Sequence, residues 1–299
     1  MQFVSFVLIY PIIWLLSRLP LRILYVFSTF FYWLVYYVVG YRKKVVFKNL
    51  KLAFPEKPDY ELKLIQKKFY KHFIDILVES IKSFSISEKE ITKRYQYKNP
   101  ELINKYLEEG RSVCLLGGHL ANWEWSINMP LFFTTPNIDS FVAYTRLQNK
   151  YFDAKIRASR QRFGVEVCKS SKMISRIQEH ISNNKQGVYG FLSDQSPQRH
   201  RAYHWYDFFN IKVPVHTGAE MLSKRFDMVL INYVARKTKR GYYEVEYQLI
   251  AEHPKNFEDY KLTERFTELM EENIRKQPEY YFWTHKRFKH RNKVPKQFQ

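Results

Sequence analysis

Cysteine is nearly absent from this 299-residue chain, which carries only Cys114 and Cys168. That number and spacing build neither a disulfide framework nor a zinc site, and the bulk of the chain reads as cytosol-facing. Acidic residues are also few: 29 Asp and Glu against 49 Lys and Arg leave a formal charge of +20. Such an excess favours acidic partners, whether nucleic acid, anionic lipid headgroups or an acidic carrier protein. A standard metal-ligand spacing is missing too. His200, His204 and His216 with Asp207 match no known ligand set, so no metal is expected. Neither a helix-turn-helix, a zinc finger nor an RNA-binding signature accompanies the basic C-terminus, so nucleic acid is not an expected partner. Internal repeats and low-complexity segments are absent.

Charge itself is missing from most of the N-terminus. Residues 3–16 are uncharged and largely apolar with a single proline, Pro11, and residues 23–39 carry no charge. A polar break at 17–22 separates the two runs. Seventeen residues are near the lower limit for a membrane span and fourteen are short. Met1-Gln2 supplies no charged region and no small-residue cleavage site follows, so a signal peptide fits poorly. Residues 1–44 are therefore expected to anchor the chain, as one span with an interfacial helix or as a tight hairpin. The cluster Arg42-Lys43-Lys44 is expected to put residues 45–299 on the cytoplasmic side, against anionic lipid headgroups.

From residue 59 to 84 apolar positions recur at helical spacing between lysines, predicting a solvent-facing helix on an apolar support. Beyond it, predicted strands at 113–116, 138–144, 165–168, 187–192, 228–235 and 242–250 alternate with helices at 146–163, 173–183 and 217–226. A further helix is predicted at 260–276. That order implies an α/β fold with a mainly parallel central sheet flanked by helices. Residues 199–216 read as an irregular aromatic stretch, either a lid over an apolar ligand or a membrane-facing rim.

Chemistry concentrates where strand 113–116 runs into Gly117-Gly118-His119-Leu120-Ala121-Asn122-Trp123-Glu124. The glycine pair allows a sharp turn and close approach to a ligand. An imidazole near a carboxylate is what general-base activation of an alcohol needs. His119, Arg146 and Asp194 all follow predicted strand ends, the edge at which parallel sheets gather ligands.

Three segments carry a resemblance: Gly118-His119-x4-Glu124, Ser193-Asp194-Gln195, and Pro278-Glu279-Tyr280-x-x-Trp283-Thr284-His285-Lys286-Arg287-Phe288-Lys289. Together they resemble the late acyltransferases of lipid A biosynthesis, the lauroyl and myristoyl transferases, distant relatives of the glycerolipid acyltransferases. The likeness runs over nearly the whole chain. It implies transfer of an acyl group, without a cofactor, from an acyl-carrier-protein thioester to a hydroxyl of a lipid A precursor. By that resemblance His119 is the general base and Glu124 its orienting carboxylate. Arg146, Asn149, Arg160, Asp194 and Gln195 bind substrate. A thioester carbonyl under attack becomes an oxyanion that needs donors, for which the Gly117 and Gly118 N–H groups or Arg160 are the candidates. Two departures stand out: Arg146 is one place removed from the family's Tyr-Arg-Pro-x-x-Asn pattern, and Ser193 replaces a Gly or Ala. The same chemistry on another lipid acceptor, or a non-catalytic lipid-binding protein, are the alternative readings.

Overall fold

The computed structural model describes residues 2–298. Two apolar helices come first, α1 (Gln2–Arg18) and α2 (Leu21–Trp33), the latter continuing as a wider π-turn through Val39. Then follow α3 (Lys43–Ala53), α4 (Asp59–Lys82), α5 (Glu88–Arg94), β1 (Tyr95–Tyr97), α6 (Glu101–Glu108), β2 (Val113–Gly117) and β3 (Asp139–Tyr144). The chain continues through α7 (Lys150–Arg160), β4 (Val165–Lys169), α8 (Met173–Ser182), β5 (Gly187–Leu192), β6 (His204–Phe208) and β7 (Ile211–Val215). It ends with α9 (Gly218–Phe226), β8 (Val229–Lys239), β9 (Tyr242–Ala251) and α10 (Lys261–Lys276).

Seven strands form one sheet in the order β1-β9-β8-β2-β5-β3-β4. Every pairing is parallel except the β8–β9 hairpin, whose turn uses Gly241 at a φ of 75°. This is the expected mainly parallel α/β sheet flanked by helices. All five residues of β2 are buried. Alternation along the strand sends Val113 and Leu115 to one apolar cluster and Cys114 and Leu116 to the other. The first cluster is closed by α2, α5 and α6; the second by α3, α8, α9 and α10, with α4 contributing to both. In α10, Leu262, Phe266, Leu269, Met270 and Ile274 keep the helical period and are all buried.

One local expectation changes and two segments gain definition. The α4 helix exposes Lys63, Lys67, Lys68 and Lys71 to solvent as expected, while α2 and α3 cover it on one side and the C-terminal segment near Tyr280 touches it on another. Its buried face carries Asp75 and Glu79, held by Lys237, Arg240, Tyr243, Tyr25 and Ser28. The aromatic stretch around residue 205 is a hairpin, β6–β7, turned at Phe209 and Asn210, both near φ 55°. Trp205, Phe208 and Phe209 are buried in the core, so they form neither a lid nor a rim. The segment after Gly118 forms a 3-10 helix, Trp123–Phe132; Pro130 removes an N–H from it.

At the N-terminus the residues divide by direction. Leu21, Leu24 and Ser28 face the body, while Leu8, Ile12, Leu15, Val26, Phe30, Val38 and Val39 are exposed. Leu21–Val39 is long and apolar enough to cross a membrane; α1 is shorter and packs on α4 and α7. The N-terminal helices are thus a candidate anchor that shares a core with the rest of the chain. Of the expected anchor and catalytic ranges, Met1 and Gln299 lie outside the described residues.

Candidate active site

Register places the site. Gly117, the last residue of β2, pairs with Leu192, the last residue of β5. His119 and Asp194 each stand two residues beyond that pair, so parallel alignment brings both out at one edge of the sheet. The Ser193 N–H extends the ladder to the Gly117 carbonyl at 3.0 Å. His119 Nδ1 lies 2.7 Å from Asp194 Oδ1. The carboxylate on the imidazole is therefore Asp194, and not Glu124 as the local spacing suggested. Glu124 swings away on the 3-10 turn and takes Arg160 instead, whose Nη2 donates to both carboxylate oxygens at 2.8 Å.

Electrostatics follow this geometry. Burial pulls the His119 pKa down, but the Asp194 charge and hydrogen bond, with help from Glu124, outweigh it and leave the pKa raised. Burial pushes Asp194 up, yet the His119 contact and backbone N–H groups hold its carboxyl below the usual range. The pair thus favours an ionised aspartate beside a basic imidazole. Gln195 Nε2 sits 3.3 Å from His119 Nε2. Trp123 and Phe282 flank the ring at centroid distances of 5.1 and 5.8 Å. The His119 side chain remains 18% exposed, enough to meet a substrate, while Asp194 is sealed at 1%.

The glycine pair earns its place by contact. A Cβ on Gly117 would fall inside the ring of Tyr233, and one on Gly118 would collide with the end of Met270 and crowd Asp194 Cβ at 3.3 Å. Past them the turn is tight: Leu120 N–H donates to the Gly118 carbonyl, and Ala121 takes a left-handed φ of 51°. Asn122 then caps the 3-10 helix by accepting from Trp125 N–H, and its amide donates to buried Glu79 at 2.6 Å.

The third sequence motif holds these parts together. Phe282 N–H donates to the His119 carbonyl, and Ala121 N–H donates to the Tyr280 carbonyl. On the other side, Ser196 N–H donates to His285 Nε2 at 3.2 Å and Ser196 Oγ to the Arg287 carbonyl at 2.8 Å. Residues 280–287 therefore tie the His119 turn to the Asp194 turn. Arg287 is fully enclosed, donating to the Pro214 carbonyl and Ser196 Oγ.

Not every expected residue converges. Arg146 is 68% exposed and faces Asp153 at 3.6 Å, two strands along the sheet edge. Asn149 caps α7, accepting from Tyr151 and Phe152 N–H, and its amide reaches the Gln2 carbonyl and Ser5 Oγ of α1. Both positions tie α7 to its surroundings and lie apart from the imidazole. His204 bonds Glu264 at 3.0 Å and stacks on Tyr260.

Asp75 and Glu79 were missed from the sequence. Their signal is that Gln66, His72 and Glu79 fall on the apolar stripe of α4, where a charge is expensive unless it is paired. Burial pushes the Glu79 carboxyl up to about 7 despite its three donors.

A search of the curated proteins finds no match. The family model described as bacterial lipid A biosynthesis acyltransferase matches residues 2–290. With an imidazole and a carboxylate joined at the edge of an α/β sheet, this chain belongs to that acyltransferase family.

Proposed function

We propose that the protein moves a fatty acyl chain from an acyl-carrier-protein thioester to a hydroxyl of a lipid A precursor, at the cytoplasmic face of the inner membrane. The observation that carries this reading is the 2.7 Å contact between His119 and Asp194. With Nδ1–H held by the aspartate, Nε2 carries the lone pair that accepts a proton. The acceptor hydroxyl displaces the Gln195 amide, loses its proton to Nε2 and attacks the thioester carbonyl. A C–O bond forms and the carbonyl becomes an oxyanion, facing the backbone N–H group of Gly118, the first beyond the β2–β5 ladder. Collapse breaks the C–S bond, and the leaving thiolate takes the proton back from the imidazolium. Asp194 steadies that transient cation.

Arg160, paired with Glu124 and 25% exposed, is the proposed contact for acceptor phosphate. The outward apolar faces of α1 and α2 support a seat in the bilayer, where lipid acceptors reside. The test is mass spectrometry of a lipid A precursor incubated with carrier thioester and the purified protein. One added acyl chain is expected, with His119→Ala slowed by roughly 10²–10⁴-fold while keeping its fold. Near wild-type transfer by a folded His119→Ala protein would overturn the reading.

A further inference from the structure

Beside the site lies a surface of one sign. Residues 195–203 and 285–298 contain no Asp or Glu. Arg199, Arg201, Lys286, Lys289, Lys293 and Lys296 are all exposed there. Elsewhere acidic residues are interspersed among the surface cations and several pairs form, as Arg176 does with Glu166 and Glu179, or Arg265 with Glu268 and Glu272. Among the described residues, none of these six has a carboxylate within ion-pair distance.

Three of them, Lys289, Lys293 and Arg199, lie around His290, where their charges add to burial in lowering its pKa. The turn at Arg291–Lys293 packs on β7, and Phe298 lies edge-on to His204 at 5.7 Å. Both Ser196 bonds to His285 and Arg287 fasten this surface directly to the Asp194 turn.

We propose that this cationic surface is the dock for the acidic protein that presents the acyl thioester. The proposal rests on the acyl-transfer reading above. Clustered unpaired cations cost self-repulsion and are relieved by an anionic partner, protein or lipid. Two observations favour a soluble acidic protein over a membrane. The cluster adjoins the His119–Asp194 edge, where a thioester delivered on a flexible arm has to arrive. Membrane-binding basic faces carry apolar side chains that insert among the lipids. This one has a single large exposed apolar residue, Tyr203, among the described residues of the two segments, while the exposed apolar side chains crowd α1 and α2.

The test compares the full-length protein with an Arg199→Glu/Lys289→Glu/Lys293→Glu variant in three measurements. Direct binding of the unacylated carrier protein is expected to weaken by roughly tenfold or more in the variant, and wild-type binding to fall with added salt. In transfer kinetics, KM for the carrier thioester is expected to rise by a similar factor at unchanged kcat. The same acyl chain on a small pantetheine thiol is expected to react equally with both proteins. Carrier binding that persists in the variant overturns the proposal, as does an equal loss on both donors. Loss of binding to anionic vesicles with carrier binding intact also overturns it, in favour of a lipid contact. Carrier binding through the patch without any acyl transfer leaves the dock standing and rejects the acyltransferase mechanism instead.

Discussion

Replacing Asp194 with asparagine separates the two carboxylates that compete for the role of His119 partner. The substitution keeps the side-chain shape and removes one charge from a sealed position 2.7 Å from Nδ1. If the amide nitrogen turns toward the ring, the Nδ1 proton is driven to Nε2, and the base can no longer accept. The whole general-base contribution, roughly 10²–10⁴-fold, is then at stake. That equals ~3–5 kcal/mol of barrier. A second signature is the pH profile. A general base works only when deprotonated, so the rising limb of kcat/KM follows the His119 pKa. In the wild type that pKa is raised, with Asp194 the main upward influence. Without the charge, burial dominates and the limb moves to lower pH. The assay is steady-state transfer from a thioester donor across the neutral range, with Glu124→Gln as the comparison. Glu124→Gln keeps the Nδ1 partner and is expected to move the limb less. A folded Asp194→Asn protein with wild-type rate and an unmoved limb would refute the assignment.

Two further outcomes follow from packing and burial. Gly117→Ala is expected to destabilise by about 1–3 kcal/mol or more, because its methyl has nowhere to go but the Tyr233 ring; Tyr233→Val should restore much of the melting temperature, and a Gly117→Ala protein that melts like wild type contradicts the contact. Glu79, pushed up to about 7 from 4.5, keeps its proton when folded over a pH range where the unfolded chain has released it. Stability therefore falls as pH rises from 4.5 to about 7, by ~3 kcal/mol. Glu79→Gln should flatten that slope in thermal unfolding, and parallel slopes would rule out Glu79 as its source.

Much of the architecture was legible in the residues. The apolar runs at β2 and β5, the alternation of β9 and the period of α10 each state their local structure without help from distant contacts. Likewise, Gly117-Gly118-His119 announces a strand end with a reactive side chain, since few other residues tolerate Tyr233 and Met270 so close to the backbone. Elements that depend on tertiary support were harder. The β6–β7 turn has neither glycine nor proline, only Phe209 and Asn210 held in a left-handed conformation by packing around them. In α4, Asp75 and Glu79 look like solvent-facing charges until Lys237, Arg240 and Tyr243 arrive from the β8–β9 hairpin.

The sequence alone determined which strand end carries the histidine, that the sheet is mainly parallel, and that the first forty residues are apolar on a scale suited to lipid. Only the tertiary structure decided which carboxylate meets the imidazole. Five residues of separation kept Glu124 near His119 along the chain, but closeness in sequence does not set side-chain direction across a turn. Alignment of β2 with β5 brought Asp194 there from 75 positions away and left Glu124 to Arg160. Pairing between strands is a long-range property of the folded sheet, and no local pattern around either residue encodes it.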